Sequence, residues 1–116
     1  MHYTVLIYGS ENAWNQLNDA EKARISLEMG MFMKELAESG RLRGGSPLQQ
    51  VATATTVRLK DGRQQRTPGP FAETKEQLGG YFVLEAADLD EVLAVVARMP
   101  PASPHGALEI RPALKV

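Results

Sequence analysis

The residues best placed to do chemistry lie in one stretch, TPGPFAETKEQLGGYF, which covers residues 67–82. There the charged side chains of Glu73, Lys75 and Glu76 stand between Phe71 and a pair of glycines. A connection between two strands needs only a few turn-forming residues. Here two prolines fix the entry of the stretch, and two glycines permit close backbone approach at its exit. Because a rigid frame preorganises charged groups, the stretch is a candidate site.

A simpler interpretation of these charges stays open. They can belong to a solvated loop or a single helical turn, where each exposed pair is worth about 0–1 kcal/mol. Runs of charge are usually solvated faces. If the stretch does form a site, two function classes compete. In one the protein binds a small polar molecule, and in the other it is an enzyme whose carboxylates do acid–base work on a small metabolite.

Arg111 and Tyr8 are the expected companions of this stretch. Arg111 lies on the last predicted strand and Tyr8 ends the first, and the sheet predicted below makes these strands neighbours. We expect Arg111 to contact a glutamate of residues 67–82 or to bind a ligand carboxylate bidentately. Glu109, two residues earlier, is a competing local partner. Tyr81 adds a hydroxyl to the candidate site, although both tyrosines also suit core packing with a solvated hydroxyl.

The sequence offers little support for a metal or a cofactor. Cysteine is absent, and the histidines are His2, which opens a strand, and His105, in a Pro/Gly loop. With no His-x-x-x-His spacing, we expect no metal site. The Gly-Gly pairs at residues 44–45 and 79–80 adjoin strands and lack the lysine or third glycine of a phosphate loop, so we expect no nucleotide cofactor.

Composition places the chain among ordinary globular proteins. Its 116 residues, 43% of them hydrophobic and 23% charged, predict one domain over residues 1–116. A net charge of -1 gives no basic footprint for nucleic acid. The apolar runs are too short to cross a bilayer, and the N-terminus lacks the layout of a signal peptide. We therefore expect a cytoplasmic protein that binds neither nucleic acid nor membrane.

Two helices carry clear start signals. Asn18 followed by Glu21 is a capping-box pattern, and the apolar periodicity that follows runs to a C-capping Gly40. Asp88 followed by Glu91 repeats the pattern before a second helix, which a pair of prolines ends. Strand-like segments surround both helices, so the chain predicts two βαβ halves.

The strands predict a ferredoxin-like βαββαβ α+β sandwich with an inserted β-hairpin. Asp61-Gly62, between alternating β-branched and polar residues, is the signal of a two-residue hairpin turn. The first strand, YTVLIYG, is apolar on both sides, as a strand buried on both faces is. Since two helices cover only one face of a sheet, a second copy should cover the other. We expect a homodimer with two-fold symmetry.

The segments GPFAETKEQLGGYF, ATATTVRLKDG and EIRP resemble the YCII-related proteins, also called the DGPF-domain family, over nearly the whole chain. The resemblance implies a ferredoxin-like fold paired as a dimeric α+β barrel and no assigned biochemical activity. It also implies a bacterial protein, since many members are linked with extracytoplasmic-function sigma factors in bacteria. That link is an association and gives no mechanism.

The sequence departs from the family pattern at its name motif. Asp-Gly-Pro-Phe is here Pro68, Gly69, Pro70 and Phe71, so the aspartate is missing. More distant YciI-like relatives carry a histidine in the first helix, which is paired with an aspartate for acid–base work, and Met29 falls near that position. Because neither partner of the pair is present, we favour the small-molecule-binding protein over the enzyme.

Overall fold

The computed structural model describes residues 1–101 and 106–115, which contain six strands and three α-helices. The strands are β1 (His2–Gly9), β2 (Leu42–Pro47), β3 (Thr55–Lys60), β4 (Arg63–Pro68), β5 (Gln77–Glu85) and β6 (Ala107–Pro112). The helices are α1 (Glu11–Asn15), α2 (Asp19–Glu38) and α3 (Leu89–Val96), with one turn of 3₁₀ helix at Val51–Thr53. Mixed α+β architecture with antiparallel sheets was predicted, and this part of the prediction is confirmed.

Four strands form the main sheet in the order β2-β5-β1-β6, with all neighbours antiparallel. On β1, Val5 lies opposite Phe82 of β5 and opposite Ile110 of β6. This order is the one that a ferredoxin-like fold requires once β3 and β4 are set aside. The register of β1 against β5 shifts between Ile7 and Tyr8, at the end of the sheet that adjoins α1.

Side chains of the main sheet and both long helices form one core. Its fully buried members are Phe82, Leu84, Val5 and Val92. Helix α2 contributes Phe32 and Leu36 to this core, and α3 contributes Val92 and Val95. Tyr3, Val5, Phe82 and Leu84 occupy paired positions on one side of the sheet, so both helices pack on that same side. The helices therefore leave the opposite side, which Leu6 and Tyr81 share, partly exposed.

The helix caps follow the sequence signals, with one difference. At α2 the Asn18 side chain accepts from the Glu21 N–H at 2.8 Å, and Glu21 accepts from the Asn18 N–H at 3.1 Å. At α3, Asp88 accepts from the Glu91 N–H at 3.0 Å. The Glu91 carboxylate, however, accepts from the N–H of Ala87 rather than from that of Asp88. The expected reciprocal box at α3 is therefore displaced by one residue.

Strands β3 and β4 pair with each other in a separate two-stranded sheet. Lys60 lies opposite Arg63, and the turn residues Asp61 and Gly62 have φ angles of 51° and 73°. Two consecutive positive φ angles are those of the tight hairpin turn that Asp-Gly favours. Most residues of both strands are exposed.

Candidate functional site

The loop before β5 presents the predicted charges to solvent. Phe71, with 79% of its surface exposed, and Glu73, Lys75 and Glu76 are all exposed. Within the loop, the Thr74 hydroxyl donates to the carbonyl of Glu76 at 2.5 Å. Among the ion pairs of the described residues, none includes these three charges. The contacts within the chain are therefore those of a solvated loop.

Arg111 pairs with the residue that was expected to compete for it. Its Nη2 lies 3.2 Å from Oε2 of Glu109, and 68% of its side chain is exposed. The hydroxyl of Tyr8 donates to the other carboxylate oxygen of Glu109 at 3.3 Å. Thus β1 and β6 bring Tyr8 and Arg111 together through Glu109, which was not among the candidate site residues. Within the described part of the chain, Arg111 makes no ion pair with Glu73 or Glu76.

A cavity of about 660 Å³ lies between α2 and the end of the sheet where β1, β2 and β5 meet. Tyr8 and Tyr81 are part of its lining. The other candidate residues are not: Phe71, Glu73, Lys75, Glu76 and Arg111 are all absent from the described lining. The structure therefore separates the two tyrosines from the exposed charges with which the sequence grouped them.

The cavity owes its apolar wall to helical spacing. Ile25, Met29 and Met33 follow each other at four-residue intervals on α2, so they share one face and all line the cavity. They belong to the apolar periodicity that predicted the helix. Gly30 lies beside them, and a side chain built there would have no atom within 4 Å of its Cβ. Met29, the middle residue of the three, lies between Ile25 and Met33 in this wall.

Two glycines of the cavity lining, Gly45 and Gly80, allow β2 and β5 to lie close together. A Cβ on Gly45 would lie 2.5 Å from the carbonyl oxygen of Tyr81 and 2.6 Å from the Cα of Phe82. One on Gly80 would lie 3.3 Å from the Cα of Pro47. These contacts give Gly45 and Gly80 a physical reason, because β2 can approach β5 closely only where side chains are missing.

Helix α1 closes one end of the cavity, and nothing in the sequence pattern predicted it. Ser10 caps it by accepting from the Ala13 N–H at 3.1 Å. The Glu11 N–H donates to Oε1 of Gln77 at 2.9 Å, and Oε2 of Glu11 accepts from the Val51 N–H at 2.9 Å. These bonds attach α1 to β5 and to the 3₁₀ turn, and they place Trp14 in the cavity wall. The available signals were Ser10, a preferred N-cap residue, and the lone tryptophan in a polar segment.

The described residues contain no candidate metal site. No group of three or more His, Cys, Asp or Glu side chains among residues 1–101 and 106–115 is arranged to hold a metal ion. His105 lies outside the described residues. Within that same part of the chain, every helix is too short or too polar to cross a membrane.

Comparison with known proteins agrees with the resemblance in the sequence. The family model for the YCII-related domain matches residues 1–116. An uncharacterized protein of Rhizobium meliloti (strain 1021) is 34% identical over 113 residues, which cover 97% of this chain and 91% of that protein. With its four-stranded sheet and a family match over its full length, the chain belongs to the YCII-related family.

Proposed function

We propose that this protein is a homodimer that binds a small molecule in the cavity between α2 and the sheet. The observation that carries the proposal is the cavity itself. Its volume of about 660 Å³ lies within the roughly 300–1,000 Å³ that is usual for small-molecule sites. Its lining is mainly apolar, with a few polar groups such as Ser26, Gln50 and Gln77. Sites of this composition bind a ligand by its apolar body and orient it by a few hydrogen bonds.

The candidate residues fall into two groups under this proposal. Tyr8 and Tyr81 belong to the cavity lining, and Arg111 supports Tyr8 through Glu109. Phe71 and the charges of the following loop complete the site from the second subunit. The support for this role is the exposure of Phe71, since a large aromatic side chain in solvent favours burial against a partner.

The solvent-exposed surface area of the chain supports the proposal that a second copy binds to it. The chain exposes 8371 Å², about a third more than the roughly 6,200 Å² expected for a compact monomer of this mass. Its radius of gyration of 16.1 Å likewise exceeds the roughly 13 Å expected for a compact domain of this length. Val57 and Leu59 on the hairpin add exposed apolar surface. Pairing with another copy would bury this surface.

The enzyme alternative finds less support. Glu73 and Glu76, the carboxylates that would do acid–base work, are exposed and lie outside the described cavity lining. The link to sigma factors rests on family association alone and enters no step of the proposal. We therefore assign the protein a binding role, with the second copy and a small molecule as its partners.

Filling the cavity tests this role. Gly30→Leu places an apolar side chain where a Cβ meets no atom within 4 Å. We expect the variant to fold at least as stably as the parent, because it removes a glycine from a helix interior and adds apolar contact. It should lose the melting-temperature shifts that small-molecule fragments induce in the parent. Ala37→Leu, at an exposed position of the same helix, should retain them. Equal shifts in both variants would place the binding site elsewhere.

A further inference from the structure

The charge around the cavity has one sign. Among the described lining residues, Glu11 is the acidic side chain, and none is lysine, arginine or histidine. Arg111, which the sequence offered as the partner of a ligand carboxylate, is held by Glu109 and is not part of that lining. An anion entering this cavity would therefore find no cation to replace its lost water.

The Glu11 carboxylate is fixed in place. Its Oε2 accepts from the Val51 N–H at 2.9 Å, and its own N–H donates to Gln77 at 2.9 Å. Its Oε1 receives no hydrogen bond from the described residues, which leaves it available to a donor. A half-buried carboxylate held in this way favours a hydrogen-bond donor, and a cationic donor above a neutral one.

The remaining wall sets the shape of the ligand. Ile7, Phe82 and Trp14 complete the apolar surface that α2 begins with Met29 and Met33. Burying hydrocarbon against such a surface makes the free energy of binding more favourable, whereas a highly polar molecule gains little there. A ligand matched to both parts has a compact apolar body and one polar head group.

We infer that the cavity selects molecules that carry a hydrogen-bond donor, ammonium or hydroxyl, on an apolar body, and that it rejects the corresponding carboxylates. This inference rests on the proposed function, since it names the ligand class of the same cavity. It replaces the ligand carboxylate expected from the sequence with a donor group directed at Glu11.

Matched probes test the inference in the intact chain. 1-Adamantylmethylamine, 1-adamantanemethanol and 1-adamantanecarboxylate share a body and differ in charge. They do not absorb where tryptophan does, so the single tryptophan, Trp14 in the cavity wall, reports binding by its fluorescence. Calorimetry gives the dissociation constants independently. We expect the amine to bind about three- to tenfold more tightly than the alcohol, and the carboxylate at least about tenfold more weakly.

Glu11→Gln identifies the source of the selection. It keeps an acceptor oxygen for the Val51 N–H and removes the charge. The amine should fall to the affinity of the alcohol, and the carboxylate should gain about threefold or more. Glu35→Gln, at an exposed position of α2, should leave the order of the probes unchanged.

The possible outcomes distinguish a failure of the inferred ligand class from a failure of the proposed binding cavity. If all the probes bind the parent with equal affinity, or the carboxylate binds best, the inference is overturned while the cavity remains a binding site. The same holds if Glu11→Gln leaves the order unchanged. If no probe changes the fluorescence of Trp14 or releases heat, the cavity assignment itself fails and the inference fails with it. The order of affinities in the parent decides the question even if the variant does not fold.

Discussion

At the scale of single residues, the glycines of β2 show how a missing side chain builds a site. Gly44 and Gly45 have the same φ of 147°, which side chains rarely adopt. A Cβ on Gly44 would meet nothing within 4 Å, whereas one on Gly45 would strike the backbone of β5. Comparing the same substitution at the two positions therefore distinguishes the cost of backbone strain from the cost of steric overlap.

We expect Gly45→Ala to lower the free energy of unfolding by about 1–3 kcal/mol more than Gly44→Ala does, because overpacking is added to a similar backbone strain. Urea unfolding followed by circular dichroism measures both variants. Gly45→Ala should also reduce the Trp14 response to the adamantyl probes, since β2 would move away from β5. Equal losses of stability in the two variants would contradict the close approach of these strands.

The lowered pKa of Glu85 predicts how the stability of the fold depends on pH. The hydrogen bond from the N-terminal ammonium, 2.8 Å away, is the main cause that lowers the pKa of Glu85, and the nearby charges of His2 and Arg43 act in the same direction. A carboxyl whose pKa is lowered by folding contributes stability above its unfolded pKa. That contribution is lost as the pH falls through the lowered value.

Glu85→Gln should therefore reduce the urea midpoint at neutral pH and leave it unchanged once the pH lies below the lowered pKa of Glu85. The effect will be small because the group is solvent-accessible and salt screens it. Glu109→Gln is a suitable comparison, since it alters an ion pair on another part of the sheet. A Glu85→Gln difference that grows at acid pH would have the wrong sign for this argument.

At the scale of elements, local sequence signals predicted the two longer helices and the hairpin turn but did not predict the cavity. Capping residues, helical periodicity and the Asp-Gly turn are encoded within a few positions, so α2, α3 and the β3–β4 turn could be anticipated. Helix α1 depends on Gln77 and Val51, which follow it by many residues, and no local pattern reveals such bonds. The charges of residues 67–82 were visible in the sequence, but their exposure was not.

The attachment of α1 can be tested at Gln77. Gln77→Met removes the acceptor of the Glu11 N–H, and we expect a loss of about 0.5–1.5 kcal/mol in stability. Amide protons of α1 should exchange faster with solvent deuterium, because the helix is too short to persist alone. Gln65→Met, on the exposed hairpin, is the matched control and should change neither quantity. Unchanged exchange in Gln77→Met would mean that other contacts hold α1 in place.

At the scale of the whole molecule, the sheet has one face packed under helices and one face that the helices leave partly exposed. Leu6, half-buried on the second face, lies opposite Tyr81 of β5 and Glu109 of β6. Leu27 is also apolar but lies on α2 with 66% of its surface exposed. The proposed dimer uses the face of Leu6, so the same substitution at the two leucines distinguishes that face from the outer surface of α2.

We expect the protein to sediment as a species of about 25 kDa, twice its mass of 12.7 kDa, at micromolar concentration. Leu6→Glu should give folded monomers, because it would place an unpaired carboxylate in a desolvated interface. Leu27→Glu should remain dimeric. Circular dichroism of both variants separates dissociation from unfolding. A parent that sediments as a monomer would overturn the proposed dimer, whereas a Leu6→Glu variant that remains a folded dimer would mean that this face is not the dimer interface. The exposed apolar side chains of the β3–β4 hairpin, Val57 and Leu59, would then be the next surface to examine.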